Sequence, residues 1–453
     1  MLEIYEILRK IKLIFERKIS ISSVFLVLFV AWSIRIYSSI EDFNKPLGEI
    51  IKSNKHQILN NTIIFLLLAV IFVLIWLAIR RIPKFKQIEI GVLFAIRTDN
   101  ENVREKIKKD FFTEIERNIK GVDNKINVLI LSEYHSEKID NNKMLIKKYH
   151  ETSNAKFILY GIARNRIQNG KEHYVIEFNE SVSHKRITEE NHRNLVRDMF
   201  SVFPRKSMIS HDEELTGFSL NSLLFTYGSL YILGLACIYN GYVETAYKLH
   251  KKCNNMNVEV KDEAVNNNFI RIKNNNKQLI MNELHHMALK EYAGECNWSK
   301  IGEKVKEAEK ICSLSYDMCA LSSIYYFHER DIKKAKERLF EARKKSNGDF
   351  TWAYSLAFLF AYEEKLNKSY TYYKIGFQNR AAINVHIQCE EFIYNVLELE
   401  PDKYQLHYCL GLLYYYKHED YQLANEEFKI FLSEDEKPKK YEEYYRYLDQ
   451  YIV

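Results

Sequence analysis

The sequence predicts an α+β membrane protein with a two-helix transmembrane hairpin, a small mixed-sheet α/β domain and a C-terminal all-α solenoid of helical repeats. Three observations predict it. Two apolar stretches, Ile19 to Ile34 and Thr62 to Ile79, stand near the start of the chain. Between residues 88 and 178, short apolar runs alternate with amphipathic ones. Further on, small and aromatic residues recur at a fixed interval, 34 residues separating Ser323 from Ala357.

A chain of 453 residues has room for two or three domains and a substantial core. Only 5 Pro and 14 Gly stand against 32 Tyr and 26 Phe, which suits long packed helices better than turn-rich β architecture. The net charge of +6 arises from 66 basic and 60 acidic residues, with Lys and Glu interleaved along the C-terminal half. Solvated helix faces account for that pattern, and no nucleic-acid partner is expected. The seven cysteines are odd in number and include no CxxC, so reduced thiols on the cytosolic side are expected. Cys312 and Cys319, seven apart, are placed on one helix face.

The membrane elements come first in the chain. Residues 1–18 carry Ile4, Ile7, Leu8, Ile11, Ile14 and Phe15 at helical spacing among cations, which predicts an amphipathic helix. Transmembrane helix 1 is placed over 19–40 and helix 2 over 58–80, joined by an extracytoplasmic connection over 41–57. About 20 apolar residues cross a bilayer core as a helix. Trp32, Tyr37 and Trp76 sit near the segment ends, as interfacial aromatics do. Arg9, Lys10, Lys12, Arg17 and Lys18 precede the pair and Arg80, Arg81, Lys84 and Lys86 follow it. The positive-inside rule then puts both termini in the cytoplasm of a multi-pass protein of the cell inner (plasma) membrane, of a bacterial type. No small-residue cleavage site follows the first stretch, so a removed signal peptide is not expected.

The α/β domain is placed over 87–205. IEIGVLFAI (88–96), INVLILS (126–132), AKFILYGIA (155–163) and EHYVIEF (172–178) read as strands. Helical spacing falls over 101–120, 141–153 and 188–203, and Asn169-Gly170 marks a hairpin. The order β-α-β-α-β-β-α implies a mixed sheet covered by helices. The opening strand IGVLFAI and the segment Ala155 to Gly161 resemble the amino-terminal domain of TolB-like proteins, across roughly 88–203. That resemblance implies a recognition module rather than an enzyme.

Repeats are expected over 215–453. Cys319, Ser323, Tyr326, Ala335, Leu339 and Ala342 are followed one period later by Ala357, Phe360, Ser369, Tyr373 and Gly376. Leu410, Gly411, Tyr414, Ala424, Phe428 and Phe431 form a further unit, longer by one residue between its helices. Leu233-Gly234, Asn240-Gly241 and Ala246 open an early unit, and 384–399 reads as an additional helix that breaks the register. These positions resemble tetratricopeptide (TPR) repeats, whose hairpins stack to bury a shared core and expose a concave surface. Tyr354, Phe358, Tyr362, Tyr408, Tyr415 and Tyr416 are the candidate protein-binding groove residues. Tyr414, Tyr415 and Tyr416 are consecutive, and three neighbouring helix positions cannot all face one core.

No phosphate-binding, dinucleotide, zinc-protease or nucleophile-elbow motif occurs. No catalytic, cofactor-binding or metal-binding residue is assigned, and no cofactor is expected. Ser132, Glu133 and His135 follow a strand end and are the weak candidates for chemistry. The expected function is a membrane-anchored cytoplasmic scaffold or receptor whose repeats bind a cytoplasmic protein or peptide segment. Its other partners are the lipid bilayer and, in one version, further copies of itself. A competing expectation is an oligomeric defence or toxin-like effector whose cytoplasmic region controls membrane permeability. A third is an enzyme in the α/β domain.

Overall fold

The structure, a computed structural model, describes residues 29, 30, 32–34, 55–98, 112–168, 171–183, 189, 206–210, 214–258, 263–378, 384–433 and 448. The helix expected over 1–18, most of the span 19–40, the connection up to residue 54, the Asn169-Gly170 turn and nearly all of 188–203 lie outside the described residues. The described chain is mostly helical with one small mixed sheet. It divides into two compact units, 1–276 and 277–453.

In the first unit, α1 (Lys55–Arg80) runs 26 residues, or about 39 Å at the α-helical rise. Leu66, Leu67 and Leu74 on it are each more than half exposed. Trp32, within a short helical piece, places its ring 5.5 Å from that of Phe65. By length and hydropathy, one described stretch is apolar enough to cross a bilayer: Leu223–Asn240, which is 72% buried inside the unit. Thr62–Ile71 of α1 is a shorter apolar stretch.

The sheet follows α1 almost at once. β1 (Ile90–Thr98) leads through α2 (Thr113–Lys120) to β2 (Ile126–Ile130). Then α3 (Glu133–Asn141) and α4 (Lys143–Ser153) lead to β3 (Ala155–Gln168), β4 (Lys171–Val182) and β5 (Lys206–Ser210). The strand order is β2-β1-β3-β4-β5. β1 is parallel to both β2 and β3, and β4 is antiparallel to β3 and β5. Parallel neighbours need helical crossovers, which α2, α3 and α4 supply. β5 is a strand that the sequence pattern did not reveal.

One face of the sheet, with Leu93, Ala95, Ile158 and Tyr160, packs on Leu131, Ile139, Ile146 and Tyr149. Phe85 belongs to this same core, only five residues beyond the end of α1. Its ring fills the space that a Cβ on Gly91 would need, 2.1 Å away, and its amide donates to Ser153 O at 2.8 Å. The glycine of the opening strand is thus the socket for the segment that joins α1 to the sheet. At Gly161, a Cβ would meet the Glu177 carbonyl oxygen at 2.0 Å, so close strand approach explains that residue.

The α5 (Glu214–Asn240) and α6 (Val243–Asn255) hairpin packs in the same unit. Phe178 and Phe225 meet edge to face at 4.4 Å. From α6, Thr245 Oγ1 and Lys248 Nζ both donate to Asp123 Oδ2, and Lys252 Nζ donates to Asn118 O. Leu223–Asn240 is apolar all round because it is enclosed by the protein.

Next comes α7 (Glu263–Ala293), within which the two units divide. The second unit continues through α8 (Trp298–Ile311), α9 (Tyr316–His328) and α10 (Ile332–Lys344). It proceeds to α11 (Thr351–Tyr362), α12 (Leu366–Phe377) and α13 (Val385–Leu399), the additional helix expected from sequence. The last hairpin is α14 (Gln405–Leu413), a π-helical turn over Tyr414–His418, and α15 (Tyr421–Ser433). Cys312 lies just past α8 and Cys319 within α9. The expectation that they share one helix face is corrected: Ser315 caps α9 between them, its hydroxyl accepting from Met318 N.

The repeat shows in backbone geometry. α9–α10 turns through Arg330 at φ 62° and α11–α12 through Glu364 at φ 61°, 34 residues on; α5–α6 uses Gly241 at φ 86°. In each, one amide donates to the carbonyl five residues back: Tyr242 to Cys237, Asp331 to Tyr326 and Lys365 to Phe360. In the last hairpin the corresponding bond runs six residues back, from Asp420 to Tyr414 at 3.1 Å, through Glu419 at φ 53°. The extra residue seen in the sequence is absorbed as the π-turn, which widens the helix by one residue locally.

Candidate functional site

The six groove candidates divide by burial. Tyr354, Phe358 and Tyr408 are 3%, 3% and 1% exposed, so they offer a partner no surface. Tyr354 packs its ring against Gly376, where a Cβ would come within 2.9 Å, and meets Phe377 edge to face. Phe358 meets Phe327 at 5.2 Å and Phe392 of α13 at 5.1 Å. Tyr408 lies between Phe428 and Phe431 of α15.

Tyr362 is half-buried and polar in its role. Its hydroxyl donates to Glu400 Oε2 at 2.8 Å and accepts from Arg330 Nη1 at 2.6 Å, while Lys403 Nζ lies 4.8 Å above its ring. Burial and the Glu400 carboxylate raise its hydroxyl pKa to about 12, so it stays protonated. Burial alone would raise Glu400, yet its bonds from Tyr362 and Arg330 hold it below its ordinary value.

Tyr415 and Tyr416 belong together on the π-turn. Tyr416 stacks on Phe377 at 5.0 Å, Tyr415 meets Tyr416 edge to face at 5.0 Å, and Tyr421 meets Tyr415 at 5.1 Å. Tyr421 is 60% exposed and Tyr416 36%. The result is an aromatic ladder, Phe377–Tyr416–Tyr415–Tyr421, opened toward solvent by the wider turn. Lys417 Nζ fixes one end by donating to Phe377 O at 3.0 Å.

Tyr414 points the other way, only 7% exposed. Its hydroxyl donates to Glu390 Oε1 at 2.5 Å and lies 3.1 Å from that of Tyr394. Tyr394 donates in turn to Glu427 Oε1 at 3.0 Å, and His407 Nδ1 lies 2.6 Å from Glu427 Oε2. His418 Nε2 sits 2.9 Å from Glu390 Oε2 without hydrogen-bond alignment, and His386 meets the His418 ring edge to face. Burial and the Glu390 carboxylate raise the Tyr414 hydroxyl pKa. This network braces the back of the ladder through α13, α14 and α15, and brings together residues far apart in sequence. Tyr421, Tyr394 and Glu390 were missed by sequence reasoning, because no local spacing announces a contact made through an inserted residue.

Among the described residues, no group of three or more His, Cys, Asp or Glu is placed to hold a metal ion. Ser132 precedes α3 as its N-cap, and Glu133 Oε1 accepts from Thr98 N at 3.2 Å. Ser132 and Glu133 thus stand at the start of a helix. His135, 3% exposed, meets the Tyr149 hydroxyl at 2.6 Å through Nδ1, facing the core. Burial raises the thiols of Cys389 and Cys409 to about 12 and that of Cys319 to about 11, which keeps them unreactive. Native-state maleimide labelling read by peptide mass spectrometry is therefore expected to modify exposed Cys296 and to reach Cys253, Cys319 and Cys409 only after unfolding.

The sequence matches no protein-family model, and no curated protein matches it.

Acid sensitivity follows from the carboxylates. For Asp123, burial opposes ionisation, but the Lys125 amide, Lys248 and Thr245 outweigh it and lower the pKa. For Glu363, burial is likewise outweighed by Lys336 and Lys365. A carboxylate whose folded pKa is depressed contributes stability above its unfolded pKa and loses it as pH falls through the folded value. Melting temperature should hold steady from neutrality to about pH 4.5 as far as these groups govern it, then fall. Asp123→Asn should lower the melting temperature at neutral pH and flatten the acid limb; an unchanged limb would contradict the assignment.

Proposed function

We propose that this chain is a membrane-anchored scaffold or receptor whose TPR-like repeats capture a cytoplasmic protein segment. The observation that carries the reading is the aromatic ladder on the π-turn, where Tyr415, Tyr416 and Tyr421 stand on a rigid polar network. Rigid aromatics with polar tips lose little entropy on binding and dominate recognition surfaces. The repeat reading is supported by left-handed turns 34 residues apart and by small-residue contacts in equivalent places. A Cβ on Gly234 would meet His250 at 2.2 Å, and one on Gly411 would meet Phe428 at 2.3 Å. The TolB-like resemblance of the α/β domain is supported by its mixed sheet with an antiparallel β3–β4 hairpin.

Anchoring is supported by α1, whose apolar side chains find too little protein to cover them, and by the Trp32–Phe65 contact between the two apolar stretches. Both termini are then cytoplasmic, by the cations that flank the pair. Tethering raises the effective concentration of a captured partner at the bilayer. Proximity labelling from an enzyme fused after Val453, in the native host, tests the function. Recovery of one or two cytoplasmic proteins supports it, whereas labelling of membrane neighbours and copies of itself alone would favour the effector reading.

A further inference from the structure

The end of α1 meets the α/β domain through charge on an aromatic ring. Arg80 places its guanidinium carbon 4.0 Å from the Trp76 ring and 4.5 Å from the ring of Tyr134 on α3. Lys138 Nζ, one turn further along α3, lies 4.4 Å from the same Tyr134 ring. Two cations therefore share one ring. Arg81 and Lys84 follow directly and are exposed, as is Lys138. None of Arg80, Arg81, Lys84 and Lys138 has a carboxylate partner among the described residues. Other cations of the chain do meet carboxylates, as in Lys336–Glu363, Arg338–Glu309 and Arg330–Glu400. Like charges gathered around one ring repel each other, and an anion between them would remove that cost.

We propose that Arg80 and Lys138, which share the Tyr134 ring, form with the adjacent Arg81 a binding site for the headgroup of an anionic phospholipid. The site rests on the membrane reading of α1. Its position supports the lipid as source of the anion: it sits where the apolar surface of α1 ends and where Phe85 enters the sheet core. Guanidinium groups present paired donors to a phosphodiester, and the net negative charge of the headgroup distinguishes it from a zwitterionic one. A bound headgroup would hold α3 against the bilayer surface, fixing the α/β domain as well as the helix.

The test uses the full chain reconstituted in nanodiscs of mixed phosphatidylcholine and phosphatidylglycerol, with retained lipid counted by native mass spectrometry. Wild type should retain phosphatidylglycerol in preference, and the preference should fall on the order of fivefold for each cation removed in Arg80→Gln, Arg81→Gln and Lys138→Gln. Lys138→Glu alone, at an exposed position, gives the same readout should the triple variant fold poorly. Retention of the preference in these variants overturns the site while leaving the anchor intact. A chain released from native membranes by alkaline carbonate overturns the anchor, and the site with it.

Discussion

Replacing Phe85 by alanine is expected to destabilise the α/β domain by about 3–5 kcal/mol, the loss for a fully buried phenylalanine. The ring is 3% exposed and fills the socket above Gly91, so its removal opens a cavity where the segment after α1 enters the sheet core. The Phe85 amide and the Ser153 carbonyl then lose the packing that holds their bond. Thermal melting of the detergent-solubilised full chain reads the effect. Leu77→Ala is the comparison: Leu77 is 51% exposed on α1, so it should leave the melting of the α/β domain unchanged. Equal melting shifts for both variants would mean that α1 and the sheet are not joined as described.

The second large effect concerns recognition. Tyr415→Ala with Tyr416→Ala removes the centre of the ladder, and buried aromatic anchors of this kind contribute about 2 kcal/mol or more each, at least thirtyfold in affinity. Stability should change little, because Tyr416 is 36% exposed and Tyr415 is half-buried on the same turn. Tyr408→Ala should do the opposite: at 1% exposure it is expected to cost several kcal/mol of stability through lost packing with Phe428 and Phe431.

How far the sequence foretold this depends on the element. The parallel strands were legible because burial on both faces demands continuous apolar residues. The repeats were legible because close helix approach demands small residues, as at Gly234 and Gly411. The groove was only partly legible. In a regular array Tyr354 and Phe358 would line an open surface, but α13 interposes Phe392 against Phe327 and Phe358. The same inserted helix supplies Glu390 and Tyr394 to the back of the π-turn. Sequence spacing showed both irregularities, the added helix and the added residue, without showing that they converge. β5 was missed because KSMIS has just two apolar residues, Met208 and Ile209, and they are adjacent rather than alternating.

The central claim is that the Tyr415–Tyr416 ladder captures a cytoplasmic protein, and quantitative proximity labelling tests it most directly. Wild type, Tyr415→Ala/Tyr416→Ala and Tyr354→Phe should be compared at equal membrane abundance in the native host. The account predicts that labelling of the captured protein falls more than tenfold in the double variant and is unchanged in Tyr354→Phe, with membrane neighbours labelled equally in all three. Undiminished labelling of that protein in the double variant would contradict it.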